Sequence, residues 1–131
     1  MKSTFNNILN DVIDMAEETK PYSKISIGSN PPKNGLAMIL STGFPELTDF
    51  EKGLIGRHSI LLNGKHSKQD KVYDAICKIH EALTRIKKYP NNDVYQILDI
   101  SSTTYPTLID REDNGQYIYG SALEVKFYWK K

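Results

Sequence analysis

The stretch YIYGSALEVKFYW, residues 117–129, alternates for 13 residues. A typical strand is roughly five or six residues long. One register reads Tyr117, Tyr119, Ser121, Leu123, Val125, Phe127 and Trp129, and is mostly apolar and aromatic. The other reads Ile118, Gly120, Ala122, Glu124, Lys126 and Tyr128, and turns polar towards its end. Period-two alternation is the signature of a half-buried strand. A strand this long needs neighbouring strands and a cover for its apolar side, so the chain is committed to a sheet.

The turn before it sets a register. A two-residue Asn114-Gly115 loop would set Asp110 against Tyr119 and Glu112 against Tyr117, carboxylates against an apolar face. A three-residue loop, Asp113-Asn114-Gly115, pairs Ile109 with Tyr119, Thr107 with Ser121 and Tyr105 with Leu123. It keeps apolar against apolar and requires a left-handed Gly115. On this register the half of the strand from about Val125 outruns its hairpin partner and needs another strand or a neighbouring subunit.

Two amphipathic helices supply the cover. Phe5, Ile8, Leu9, Val12, Ile13 and Ala16 recur at helical spacing over residues 4–19, with Ser3 or Thr4 as cap and Pro21 as stop. Val72, Ala75, Ile76, Ile79, Ala82, Leu83 and Ile86 form one apolar stripe in the second helix. Ser67 and Asp70 resemble a capping box at its start, Arg85, Lys87 and Lys88 suit its last turn, and Pro90 ends it.

Strands are expected around Ile25–Ile27 and Leu36–Leu40, joined as a hairpin by a Pro-rich loop, and through Ile60–Leu62. Two more follow, one over Val94–Ile100 and one around Pro106, whose ring predicts an edge, a bend or a bulge. The expected order is α-β-β-β-α-β-β-β. The class is α+β: a mostly antiparallel sheet of about five or six strands with both helices on one face. The 131 residues suit a single domain, 1–131.

Residues 42–57 are too irregular for an element, yet they hold Phe44, Phe50, Leu54 and Ile55. They read as a loop that either meets a partner or tucks its side chains under itself. Tyr128 alternates onto the polar side of the last strand and is a further contact candidate.

Chemistry has little to stand on. A net charge of +1 argues against a protein whose main task is coating nucleic acid. The single cysteine, Cys77, excludes an internal disulfide framework and a multi-cysteine zinc site. No run approaches the ~20 apolar residues needed to span a membrane, and the N-terminus lacks the apolar core of a signal peptide. A soluble protein made inside a cell is expected.

Cys77 and His80 lie three apart on one helix and, with His58 or His66, would be the raw material of a ligand or enzyme site. No zinc spacing is present, and structural roles account for them more simply. Asp99 within an apolar strand reads as a residue on a solvated sheet face. NGKHS at 63–67 fails the phosphate-loop spacing at both ends. No catalytic residue, metal or cofactor is expected.

The whole arrangement nevertheless resembles a family. KISIGSNPPKNGLAMILSTG, then RHSILLNGKHSKQDKVYDAICKIHEAL, then YPTLIDREDNGQYIYGSALEVKFYW, behind a leading helix, look like the tail terminators, tail-to-head joining proteins or minor capsid proteins of tailed phages and prophages. The resemblance covers most of the chain, through loose, strand-shaped motifs. It implies a non-catalytic ring, usually a hexamer, that ends tail-tube polymerisation. The implied partners are further copies of the chain, the tail-tube protein and the head-completion protein. DNA would pass through the lumen, and the protein would sit at the head–tail junction of a virion assembled in the bacterial cytoplasm. At Asn63-Gly64-Lys65 the chain departs from relatives that carry an Arg-containing strand end, which leaves the lumen charge open.

Overall fold

The computed structural model describes residues 3–48, 54–86 and 88–130. In chain order these form α1 (Thr4–Glu17), β1 (Ile25–Ile27), β2 (Leu36–Thr48), β3 (Leu54–His66), α2 (Gln69–Thr84), β4 (Tyr95–Arg111) and β5 (Tyr117–Trp129). The five strands make one sheet in the order β1-β2-β3-β5-β4. All neighbours are antiparallel except β1 and β2.

The α+β class, the mostly antiparallel sheet and the two helices on one face are as expected. The count is five because the strands expected around 94–100 and 105–109 run together as β4. A second difference lies at the sheet's other edge, where a β1–β2 hairpin was expected. Ile25, Ser26 and Ile27 instead pair in parallel with Leu36, Ala37 and Met38. The intervening loop crosses back to the start of the sheet, and the Asn63 side-chain amide donates to Ser29 O at 3.0 Å across it.

The helices form where the apolar stripes predict. Ser3 caps α1, its Oγ accepting from Asn6 N at 3.2 Å. Ile8, Leu9, Val12, Ile13 and Ala16 of α1 and Val72, Ile76, Ile79 and Leu83 of α2 are buried on the same side of the sheet. There they meet Leu36 and Met38 of β2, Ile60 and Leu62 of β3, Ile97 and Ile100 of β4, and Leu123, Val125 and Phe127 of β5. Each of the Val, Leu, Ile, Met and Phe side chains among them contributes roughly 1.5–3 kcal/mol on burial.

Ser67 does not cap α2. The cap position falls on Lys68, which has no side-chain cap bond. The backbone N–H of Ser67 donates to Asn34 Oδ1 at 3.2 Å, tying that residue to the turn before β2. The helix also ends early, at Thr84, so Arg85 and Lys88 lie beyond it. Thr84 Oγ1 donates back to Glu81 O at 3.1 Å, and Tyr89 Oη donates to Leu83 O at 3.2 Å. These bonds satisfy carbonyls that a continuing helix would have used.

β5 is the spine of the sheet. It pairs with β3 without a register break, from Leu54 opposite Trp129 to His66 opposite Tyr117. On its other side β4 follows it to the end, with Tyr95 opposite Trp129, so no half of β5 is left over. β4 uses 17 residues against 13 of β5 and takes up the difference at four register shifts. A bulge of this kind places one extra residue in one strand and bends it.

The three-residue loop Asp113–Gly115 forms as predicted. Glu112 N donates to Gln116 O at 2.7 Å, and Gly115 has φ +89°. Arg111 pairs with Tyr117 and Asp110 with Ile118, but a shift then sets Leu108, not Ile109, opposite Tyr119. The expected Thr107–Ser121 and Tyr105–Leu123 pairs are displaced in the same way. Pro106 lies within the shift between Thr104 and Thr107 on this edge strand, where a missing N–H is tolerated.

Candidate interaction surfaces

Residues 42–57 are not a free loop. β2 runs to Thr48 and β3 begins at Leu54, so most of the segment is the outer arm of a hairpin. Two register shifts, between Leu40 and Gly43 and between Pro45 and Leu47, break the alternation that would have revealed it. Phe50 lies outside the described residues.

The arm gathers the other expected contact residues at one end of the sheet. Ile55 pairs with Tyr128, and Tyr128 with Gln96. Leu54 is opposite Trp129, and Phe44 opposite Arg57. Leu54, Ile55 and Tyr128 are half-buried, whereas Phe44 is 56% exposed. Beside them a pocket of about 190 Å³ is lined by Phe5, Gly43, Phe44, Leu54, Gly56 and Phe127, among others. A Cβ on Gly43 would come within 2.6 Å of the His58 ring, and one on Gly56 within 2.8 Å of Phe127. Both glycines therefore let rings lie flat on the strands. Phe5 stands edge-on to His58 and Trp129, each at 5.2 Å between ring centres. This end can receive an apolar side chain.

The titratable residues are dispersed. His58 sits in that aromatic cluster; its pKa is lowered by burial, against an opposing hydrogen bond that the ring donates to the Ser41 backbone carbonyl. His66 lies at the other end of β3, where its Nδ1 accepts from Lys68 N at 2.9 Å. Cys77 and His80 are on α2, and no group of three potential metal ligands occurs among the described residues. Asp99 is exposed and lies opposite Lys126, as a solvated-face residue should. Tyr95 is buried against α1, where it donates to Asp11; burial first, and the carboxylate second, push its pKa up to about 12.

Among the described residues, His80 makes an arrangement that resembles a nucleophile–base pair, Nε2 lying 2.7 Å from Ser102 Oγ. Such a pair needs a third group to orient the imidazole. Among the described residues none hydrogen-bonds the buried His80 Nδ1. The contact fastens α2 to β4 at the point where β4 leaves the core, since Ser101–Tyr105 and Thr107–Arg111 are all exposed.

That outer half of β4 holds residues which pattern-reading undervalued. Tyr105 is 78% exposed, with its ring edge-on to His80 at 6.1 Å, and Leu108 and Ile109 are about half exposed. Among the tyrosines, Tyr95 and Tyr119 are core, while Tyr105 stands out on the rim. The available signal was the polar run Ser101–Thr104 ahead of Tyr105-Pro106. A strand with few inward apolar residues is one that leaves the core. No described helix is long and apolar enough to cross a membrane.

No protein-family model matches the chain, and no curated protein does. Solved structures do, among them a chain described as "Virion of native gene transfer agent (GTA) particle", with a TM-score of 0.58 and 9% sequence identity. The match covers 97% of this chain and 99% of that one. At that identity the likeness establishes the fold alone: over nearly its whole length, this chain is folded like a protein of a gene transfer agent virion.

Proposed function

We propose that this chain is a non-catalytic structural protein of a phage-like particle, and that it acts there as a tail terminator or tail-to-head joining protein. In this reading copies of the chain close into a ring, six in number, at the head–tail junction. The ring ends polymerisation of the tail tube, meets the head-completion protein on its other side, and lets DNA through its lumen without reading sequence. The particle is assembled in the cytoplasm of a bacterial host.

The observation that carries the reading is the extent of the fold likeness: both chains are matched almost end to end, so the resemblance is not confined to a common substructure. The exposed apolar residues fit it as well. Phe44, Tyr105 and Ile109 stand on the surface of a chain with a well-filled core, as residues reserved for contact with other chains do.

Solution mass measurement combined with electron microscopy of polymerising tail tubes tests this reading. A ring mass, and tubes that stop growing with the protein on one end, are the expected results. A strict monomer that leaves tube length and tube ends unchanged overturns it.

A further inference from the structure

We infer that copies of this chain meet head to tail across the two edges of the sheet, the β1–β2 edge of one copy against the β4 edge of the next. The inference rests on the ring reading above and names the surfaces that would close the ring.

The edges carry opposite net charge. Residues 19–48, which hold β1 and β2, contain Lys20, Lys24 and Lys33 against a single Glu46. All three lysines are exposed. Residues 95–114, which hold β4 and its turn, contain Asp99, Asp110, Glu112 and Asp113 against a single Arg111. Glu112 is engaged by Lys65 at 3.2 Å, while Asp99, Asp110 and Asp113 are exposed. Each edge also presents apolar side chains: Ile27 at 54% and Phe44 at 56% exposure on one, Tyr105 at 78% and Ile109 at 56% on the other.

The sheet order puts these edges on opposite sides of the molecule. A two-fold dimer would set like edge against like, lysine against lysine or carboxylate against carboxylate. It would also leave the second apolar edge in water. A heterologous contact matches opposite charges, and if it closes it covers both edges in every copy.

Side chains carry the contact rather than a continuous backbone ladder. β2 has Pro45 and two register shifts along its outer part, and β4 has Pro106 and four. Prolines and bulges on an edge are devices that stop regular strand addition.

Charge reversal on each edge tests the contact. The variants are Lys24→Glu with Lys33→Glu, and Asp110→Lys with Asp113→Lys, each checked for native circular dichroism. Each alone should fall to monomer mass, because both of its edges then carry one sign. Mixed in equal amounts they should regain the ring mass, alternating around it. Wild-type ring mass should also decline as ionic strength rises, since exposed pairs are screened.

If wild type forms a ring and the variants keep it, this contact is overturned while the ring reading stands. If the variants separate but the mixture does not recover, the pairing of these two edges is overturned. A wild type that stays monomeric overturns the ring reading and this contact with it. Zero-length carbodiimide cross-linking of wild type reads the same contact without substitutions. Intermolecular links from Lys24 or Lys33 to Asp110 or Asp113 are expected, and a cross-linked ring without them overturns the proposal.

Discussion

Asn34 and Gln116, 82 residues apart in sequence, hold each other reciprocally: Asn34 N donates to Gln116 Oε1 at 2.9 Å, and Gln116 Nε2 donates to Asn34 Oδ1 at 2.9 Å. Asn34 has φ +50°, a conformation Asn tolerates better than most residues. The same Oδ1 accepts from Ser67 N, so one amide ties together the turns before β2, before α2 and before β5. Gln116 is 1% exposed. Removing its amide strands the Asn34 N–H, which costs about 1–3 kcal/mol when the group has no substitute partner. Gln116→Ala should therefore lower the urea midpoint by that much stability with the slope unchanged. A midpoint within error of wild type would mean that water replaces the amide.

Gly64 sets how closely α2 lies on the sheet. A Cβ there would stand 2.6 Å from Leu36 Cδ2, 3.1 Å from Val72 and 3.2 Å from Ile76. Gly64→Ala should destabilise by about 1–3 kcal/mol, the usual range for overpacking. Leu36→Ala, at a fully buried position, should cost about 2–5 kcal/mol through lost burial and a cavity. Together they should cost less than their sum, because the missing leucine makes room for the new methyl group. A double-mutant cycle in urea reads that shortfall directly, and strict additivity would count against the contact.

What the sequence disclosed and what it hid have physical causes. The stripes of α1 and α2 and the alternation of β5 were legible because each element buries one uninterrupted face. β5 pairs on one side without a break, so its period never slips. β4 and the outer half of β2 are edge segments with bulges, and every bulge flips the inside–outside pattern after it. That is why Tyr105 and Ile109 were set against the wrong partners, and why residues 42–57 looked like a loop. The candidate contact residues Phe44, Leu54 and Ile55 could be named as apolar excess, and Tyr128 as an aromatic on the polar side of its strand. Their meeting at one end of the sheet depends on a register that no local pattern displays. The parallel β1–β2 pairing was equally hidden, since three residues carry too little periodicity to distinguish it from a hairpin.

The β4–β5 turn gives a test free of packing effects. Gly115 has φ +89°, and nothing lies within 4 Å of where its Cβ would be. Only backbone conformation opposes a side chain there. Left-handed backbone costs an ordinary residue roughly 1–2 kcal/mol. Gly115→Ala should lose about that much stability, and Gly115→Asn less, because Asn visits this region more readily. Equal losses in urea unfolding would show that the loop relaxes to a different turn.

Acid should weaken the fold through His80. Its side chain is buried, with Nε2 beside Ser102 and Nδ1 lacking an acceptor among the described residues, so a proton on the ring would go unpaired there. Burial lowers its pKa below the ordinary value of 6.5. With the folded value below the unfolded one, the unfolded chain takes up the proton first as pH falls. Stability is therefore full above about pH 6.5, declines below it, and levels off once the folded ring also titrates. His58, lowered in the same direction by burial, adds to the slope. The urea midpoint should fall between pH 7 and pH 5, and His80→Gln should flatten part of that fall. Hydrogen exchange locates the effect: amides of Ser101–Tyr105 should lose protection ahead of β5 in wild type, because His80–Ser102 is the bond that joins that stretch to α2. If protection falls uniformly along the sheet, or the Gln variant keeps the full acid slope, His80 is not the group responsible.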